Sequence, residues 1–145
     1  MNDRSPSLPQ LGLLLRLLHQ QWALAIEAAL AEAGFGNTGA AHGNVFLFVP
    51  PEGIQVSELA KRARVRKQTM AQTVEELEKL GYVERHPDPR DRRGRLVFLT
   101  ERGRRVRPVA AAAGRTVEQR WAARTSRKEI DALRQALQSL LDRVG

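Results

Sequence analysis

The side chains best able to do chemistry in this chain are cations, amides and hydroxyls in two short stretches. Arg64, Arg66, Lys67, Gln68, Thr69, Gln72 and Thr73 form the first, and Arg90, Asp91, Arg92, Arg93 and Arg95 the second. Cationic groups neutralise phosphate and release its counterions. Glutamine pairs bidentately with adenine, and threonine packs on a thymine methyl. Arg66 and Lys67 can reach guanine or phosphate. Arginines on an extended loop suit a narrow minor groove, where the negative potential is strongest. The two stretches therefore point to double-stranded DNA. The competing reading is a solvated basic surface, since Arg outnumbers Lys twenty to four. Catalysis finds little support. The carboxylates fall on helix surfaces or in the second stretch, with no nucleophile motif, glycine-rich phosphate loop or metal cluster. His19, His42 and His86 lack metal-ligand spacing, and there is no cysteine to join them. The expectation is no enzyme, no cofactor and no metal.

The elements that would position these groups are legible. Residues 57–63 read as a helix with Leu59, Ala60 and Ala63 apolar, Ser57 as its cap and Glu58 at the positive end of its dipole. A break at 64–67 leads to a second helix over 68–80, with Met70, Val74, Leu77 and Leu80 on one face, closed by Gly81. Two short helices joined by a tight turn form a helix-turn-helix. Residues 82–85 and 95–99 are strand-like, and the HPDPRDRRG between them is rich in turn formers. A hairpin placed there is a wing, and its loop carries the second set of arginines.

The flanking segments are apolar and helical in pattern. Residues 1–9 read as a polar arm. A helix over 11–33 repeats Leu11, Leu14, Leu15, Leu18, Trp22, Ile26, Ala29 and Leu30, and Leu13, Leu17 and Leu24 add a second stripe. Two stripes suggest burial against another subunit, and one broad stripe in a single core is the alternative. Residues 34–43 form a loop. The apolar run at 44–49 reads as the end of a helix beginning near Thr38, although its composition is strand-like. Pro50 to Gly53 stops regular structure, and 54–56 suits a short strand beside the wing. Thr100 is placed to cap a helix running to Trp121, with Pro108 producing a kink or a late start. Small residues over 110–114 would admit another helix closely. Thr125 or Ser126 caps a last helix striped by Ile130, Leu133, Leu137, Leu140, Leu141 and Val144, with Glu129 at capping-box distance from Ser126.

At 145 residues with a formal charge of +8, the chain is one basic domain suited to a polyanion. Between 82 and 107 there are nine arginines against four acids. No apolar run approaches the ~18 residues of a membrane span, and no signal pattern opens the chain, so a cytoplasmic protein is expected.

The stretch SELAKRARVRKQTMAQTVEELEKLGYVERHPDPRDRRGRLVFLTERG closely resembles the multiple-antibiotic-resistance regulator (MarR) family. The D-P-R-D-R-R-G run followed by L-T-E-R-G carries the likeness. The resemblance implies a mainly α fold with a minor β part: a winged helix-turn-helix lobe (38–102) on a dimerisation region of long N- and C-terminal helices (8–36 and 104–145). It implies a homodimeric repressor on a pseudo-palindromic operator, released by an aromatic or anionic small molecule. It puts the minor-groove contact on Arg93, with Asp91 holding the loop by an ion pair, and Arg92 and Arg95 on phosphate. It implies an effector pocket where the first, second and fifth helices meet, with Arg16, His19, Trp22, Phe46 and Phe48 as lining candidates. Two departures stand out: Arg64 occupies a turn position where the family often has Gly, and Arg66 the place of a capping Ser or Thr. An architectural DNA-binding protein without an effector is the second reading. A protein-interaction use of the winged fold is the third.

Overall fold

The computed structural model describes residues 7–145, so most of the arm expected over 1–9 lies outside the described residues. Among the described residues, six α-helices and one hairpin follow in the order α1 (Leu11–Glu32), α2 (Gly43–Phe48), α3 (Val56–Ala63), α4 (Lys67–Lys79), β1 (Val83–Asp88), β2 (Asp91–Leu99), α5 (Glu101–Arg124) and α6 (Arg127–Val144). The fold is mainly α with a two-stranded antiparallel sheet, a winged helix-turn-helix.

The lobe's core gathers alternating contributions from every element around the motif. Val45, Val49, Leu59, Met70, Val74, Leu77, Tyr82, Val97 and Val106 are fully buried. Leu30 at the end of α1 is buried with them, and Ile26 packs on the cluster. The rest of α1 is exposed or half-buried, and α6 buries nothing. Where α1 crosses α5, the Trp22 ring lies over Gly114, 2.9 Å from the point a Cβ would occupy. This is the close approach that the small residues at 110–114 predicted, and Trp22 and Trp121 stack at a tilt with centroids 5.9 Å apart.

Helix ends follow local chemistry. Gly81 adopts φ +81°, and the N–H groups of Gly81 and Tyr82 return to the Glu78 and Leu77 carbonyls. That pair of bonds closes α4 as a left-handed cap should. It also removes Tyr82 from the strand in which the sequence placed it. Thr100 Oγ1 accepts the Gly103 N–H, and Ser126 Oγ accepts the Glu129 N–H, so Ser126 rather than Thr125 caps α6. Pro108 does not delay α5, which starts at Glu101.

Four boundaries differ from the sequence expectation. Ser57 does not cap α3, which begins at Val56 after an extended Gln55. The cause is long-range: Ile54 exchanges both backbone hydrogen bonds with Val97, which fixes the chain entering the helix. The strand expected at 54–56 shrinks to that one bridge. The helix expected from Thr38 starts at Ala40 as a 3₁₀ turn (Ala40–His42), because Thr38 Oγ1 bonds back to the Phe35 carbonyl. The wing pairs much further than predicted, with His86 opposite Leu96 and Pro87 opposite Arg95. Proline is tolerated there because a two-stranded ribbon has only edges.

Candidate nucleic-acid interface

Helix α4 presents its N-terminal turns because its other face is committed. Met70, Val74 and Leu77 are buried, while Lys67, Gln68, Thr69 and Gln72 are exposed. Thr73 is a correction: only 8% of it is exposed, and its Oγ1 donates to the Thr69 carbonyl at 3.0 Å. It closes the helix onto the core and offers nothing to a base edge. Arg66 stands at the N-cap of α4 in an extended conformation without a side-chain cap, and its side chain is exposed.

Arg64 caps α3 with φ 56° and ψ 42°, the left-handed conformation that glycine takes more easily. The Arg64 and Val65 N–H groups return to the Lys61 and Ala60 carbonyls, so the turn keeps the shape a glycine would give it. The Arg64 guanidinium lies beside Gly145, Nη2 being 3.2 Å from where a Cβ there would sit. Its charge is thus directed toward the end of α6, a placement that sequence pattern did not suggest.

In the wing, Arg90, Asp91, Arg92, Arg93 and Arg95 are all exposed. Only Pro89 and Arg90 lie outside the strands, so Arg92, Arg93 and Arg95 project from β2 itself rather than from a loop. Asp91 works differently from the expected ion pair. Its carboxylate accepts the Arg93 backbone N–H at 3.0 Å, and among the described residues it pairs with no guanidinium. Asp88 does the same for the Arg90 N–H at 2.9 Å and also accepts from Gln55 Nε2 at 2.8 Å. The Arg90 N–H, then the Gln55 amide, hold the Asp88 carboxyl below the usual carboxylate range. Gln55 in turn fills the space above Gly94, where a Cβ would fall 2.5 Å from Nε2. Gly94→Ala should therefore push Gln55 off Asp88. Exchange of the Arg90 amide hydrogen should quicken severalfold, while global stability falls by about 1 kcal/mol or less, because the displaced group is a flexible side-chain end.

The base of the wing is tied to α4. Arg85 Nε and Nη2 donate to the two Glu78 carboxylate oxygens at 3.1 and 3.0 Å. This bidentate pair fixes the hairpin's angle to α4. The Arg85 hydrogen bond holds the Glu78 carboxyl below its ordinary value of 4.5. A depressed carboxylate contributes stability above its unfolded pKa and loses it as pH falls through the folded value. The stability difference between the wild type and Arg85→Ala, read from urea midpoints, should be largest near neutrality. It should shrink as the pH drops below about 4.5.

A largely apolar cavity of about 480 Å³ opens between α1, α2 and α5. His19, Trp22 and Phe46, three of the predicted lining residues, line it. Arg16 and Phe48 do not: Arg16 is exposed, and Phe48 packs on the lobe core. Sequence pattern missed Arg107, whose guanidinium donates to the carbonyls of Phe46 and Val49 and so staples the end of α2 to α5. An arginine one position before Pro108 in a basic run carries no signal of that role. Among the described residues, no helix is long and apolar enough to cross a membrane, and no cluster of metal-ligating side chains occurs.

Comparison with known proteins agrees with this architecture. Residues 43–94 match the model of the MarR family. The chain is 30% identical over 90 residues to the transcriptional regulator HosA of Escherichia coli O111:H-, covering 62% of this chain and 67% of that one. It is 41% identical over 59 residues to the transcriptional activatory protein BadR of Rhodopseudomonas palustris, covering 41% of this chain and 34% of that one. The apo crystal structure of MarR from E. coli superposes with a TM-score of 0.75 at 25% identity, over 93% of this chain and 99% of that one. CouR from Rhodococcus jostii RHA1, solved bound to p-coumaroyl-CoA, gives 0.69 at 27% identity over 97% and 95%. With its winged helix-turn-helix, its exposed α4 N-terminus and its arginine-bearing hairpin, the chain belongs to the MarR family of DNA-binding transcriptional regulators.

Proposed function

We propose that this protein is a homodimeric repressor that binds a pseudo-palindromic operator and leaves it when a small molecule enters the α1–α2–α5 cavity. Within that reading, residues 38–102 form the DNA-binding lobe, and 8–36 with 104–145 form the dimerisation region. Gln68, Thr69 and Gln72 read the major groove, Arg93 enters the minor groove, and Arg66, Lys67, Arg90, Arg92 and Arg95 hold phosphates. The observation that carries the reading is the joint exposure of these groups on one lobe, whose α4 and wing are tied by the Arg85–Glu78 pair.

Dimerisation is supported by what the monomer leaves uncovered. Leu13, Leu14, Leu15, Leu17, Leu18 and Leu24 on α1 are at least 38% exposed, and Leu133, Leu140, Leu141 and Val144 on α6 at least 40%. An apolar surface of this extent marks an interface. Light scattering should give twice the 16.2 kDa chain mass. For the effector, the mostly apolar walls favour an aromatic body. CouR's ligand, p-coumaroyl-CoA, is both aromatic and anionic.

The test of DNA recognition is titration of a labelled fragment from the gene's own upstream region against random DNA of equal length, at two salt concentrations. A preference of ~10³ or more that survives the higher salt supports an operator-specific regulator. Equal affinities that collapse together with salt would mean charge alone drives binding, and the architectural reading would replace this one.

A further inference from the structure

The segment joining α1 to α2 carries a polar contact that neither the core nor the helix caps require. The His42 side chain ends the 3₁₀ turn and is only 12% exposed. Its Nδ1 accepts the backbone N–H of Gly39 at 2.9 Å. A ring nitrogen that accepts carries no proton, so the imidazole proton sits on Nε2. Nε2 lies 3.0 Å from Glu76 Oε2 and donates to it. The backbone of the turn thus selects the tautomer that the contact to α4 needs.

Both ends of this contact sit where they matter. Thr38, Gly39, Gly43 and Asn44, on either side of His42 in sequence, line the α1–α2–α5 cavity. Glu76 follows Gln68 and Gln72 at successive i,i+4 positions of α4, so the three share one face. Among the described residues, this is the sole side-chain hydrogen bond between the 38–48 wall and α4. The buried face of α4 is held by apolar contacts, which resist rolling about the helix axis less than a directional bond does. Beside the Arg85–Glu78 pair that ties α4 to the wing, the His42–Glu76 bond supplies that restraint toward the 38–48 wall.

We propose that His42 is the positioning residue through which the cavity controls α4. A molecule seated against the 38–44 wall displaces the turn, His42 leaves Glu76, and Gln68 and Gln72 lose their setting for the groove. The relay rests on the effector reading above and names its route. A ligand shifts the balance only through its different affinity for the two settings of the wall, and couplings of this kind usually lie near 5–150-fold.

The test replaces an unidentified ligand by a side chain. Ala111 lines the cavity and is exposed, so Ala111→Phe places a ring in it. Operator affinity is measured for the wild type, Ala111→Phe, His42→Ala and the double variant, each first checked for folding by circular dichroism. Each single change should weaken binding about tenfold or more, and the double variant should be no weaker than either single by more than ~3-fold, because both act on one bond. His42→Gln, which can keep a donor toward Glu76, should bind within ~3-fold of wild type and still respond to Ala111→Phe. Losses that multiply in the double variant would overturn the relay, because they mean separate routes or general destabilisation. An undiminished response to Ala111→Phe in His42→Ala would overturn it as well. If Ala111→Phe leaves wild-type affinity unchanged, the cavity does not communicate with DNA, and the effector reading falls together with the relay.

Discussion

Replacing Gly103 with alanine should destabilise the lobe by about 2–4 kcal/mol, although alanine is the better helix former by ~1 kcal/mol. Gly103 is buried in the first turn of α5 with ordinary helical backbone, so conformational freedom is not what it supplies. It supplies proximity. A Cβ there would lie under 3.0 Å from the Tyr82 carbonyl oxygen, closer than real Cβ atoms come, and 3.1 Å from the carbonyl carbon. The neighbour is backbone and cannot rotate aside. That same Tyr82 carbonyl accepts the Thr100 N–H at 3.0 Å, and Thr100 Oγ1 donates to the Gly81 carbonyl at 2.6 Å while accepting from the Gly103 N–H at 3.1 Å. The end of α4, the root of the wing and the start of α5 therefore meet at one seam of hydrogen bonds centred on Thr100. Relieving the clash means sliding α5 and giving up part of that seam. Urea unfolding of the two proteins decides it. A midpoint unchanged or raised in Gly103→Ala would show that helix propensity outweighs the contact and that the seam is looser than drawn.

The seam also explains which parts of this fold could be read in advance. Gly81, Thr100, Ser126 and the Met70–Val74–Leu77 stripe act within a turn or two of their own positions, and local chemistry sufficed for them. Ser57 misled because a distant pairing, Ile54 with Val97, sets where α3 begins. Thr73 misled because Gln68, Thr69, Gln72 and Thr73 are alike in polarity, and only the packing of α4 decides which one turns inward. The wing residues were found by type, but their presentation was not. Pairing of β1 with β2 continues past Arg85 as far as Pro87 opposite Arg95, then breaks in an irregularity that leaves Arg92, Arg93 and Gly94 unpaired before Asp88 meets Asp91. Asp88 and Asp91 hold that tip by binding the Arg90 and Arg93 backbone N–H groups. The cavity was partly legible through Trp22 and Phe46. Arg107 was not, since its role depends on carbonyls roughly sixty positions away, at Phe46 and Val49.

For Arg93→Ala, operator binding should weaken by about 1–3 kcal/mol, with a change in folding stability within ~0.5 kcal/mol. The two halves of that expectation have separate grounds. The Arg93 backbone is held by Asp91 through the main-chain N–H, which alanine keeps. Its guanidinium is exposed and, among the described residues, joins no ion pair, so its removal costs the free protein almost nothing. In the proposed complex, an arginine near the end of a short, tied hairpin would bring its charge into the minor groove with little ordering left to do, and that is where a cation gains most from the narrowed groove potential. Arg92→Ala provides the contrast. As a phosphate contact it should lower operator and random-DNA affinity by similar factors and reduce the salt slope by about one. Arg93→Ala should lower the operator's advantage over random DNA. Operator affinity left intact in Arg93→Ala would remove the wing tip from recognition and leave specificity to Gln68, Thr69 and Gln72. Equal losses on both DNAs would place Arg93 on phosphate beside Arg92, and the reading of shape would then have to come from elsewhere on the lobe.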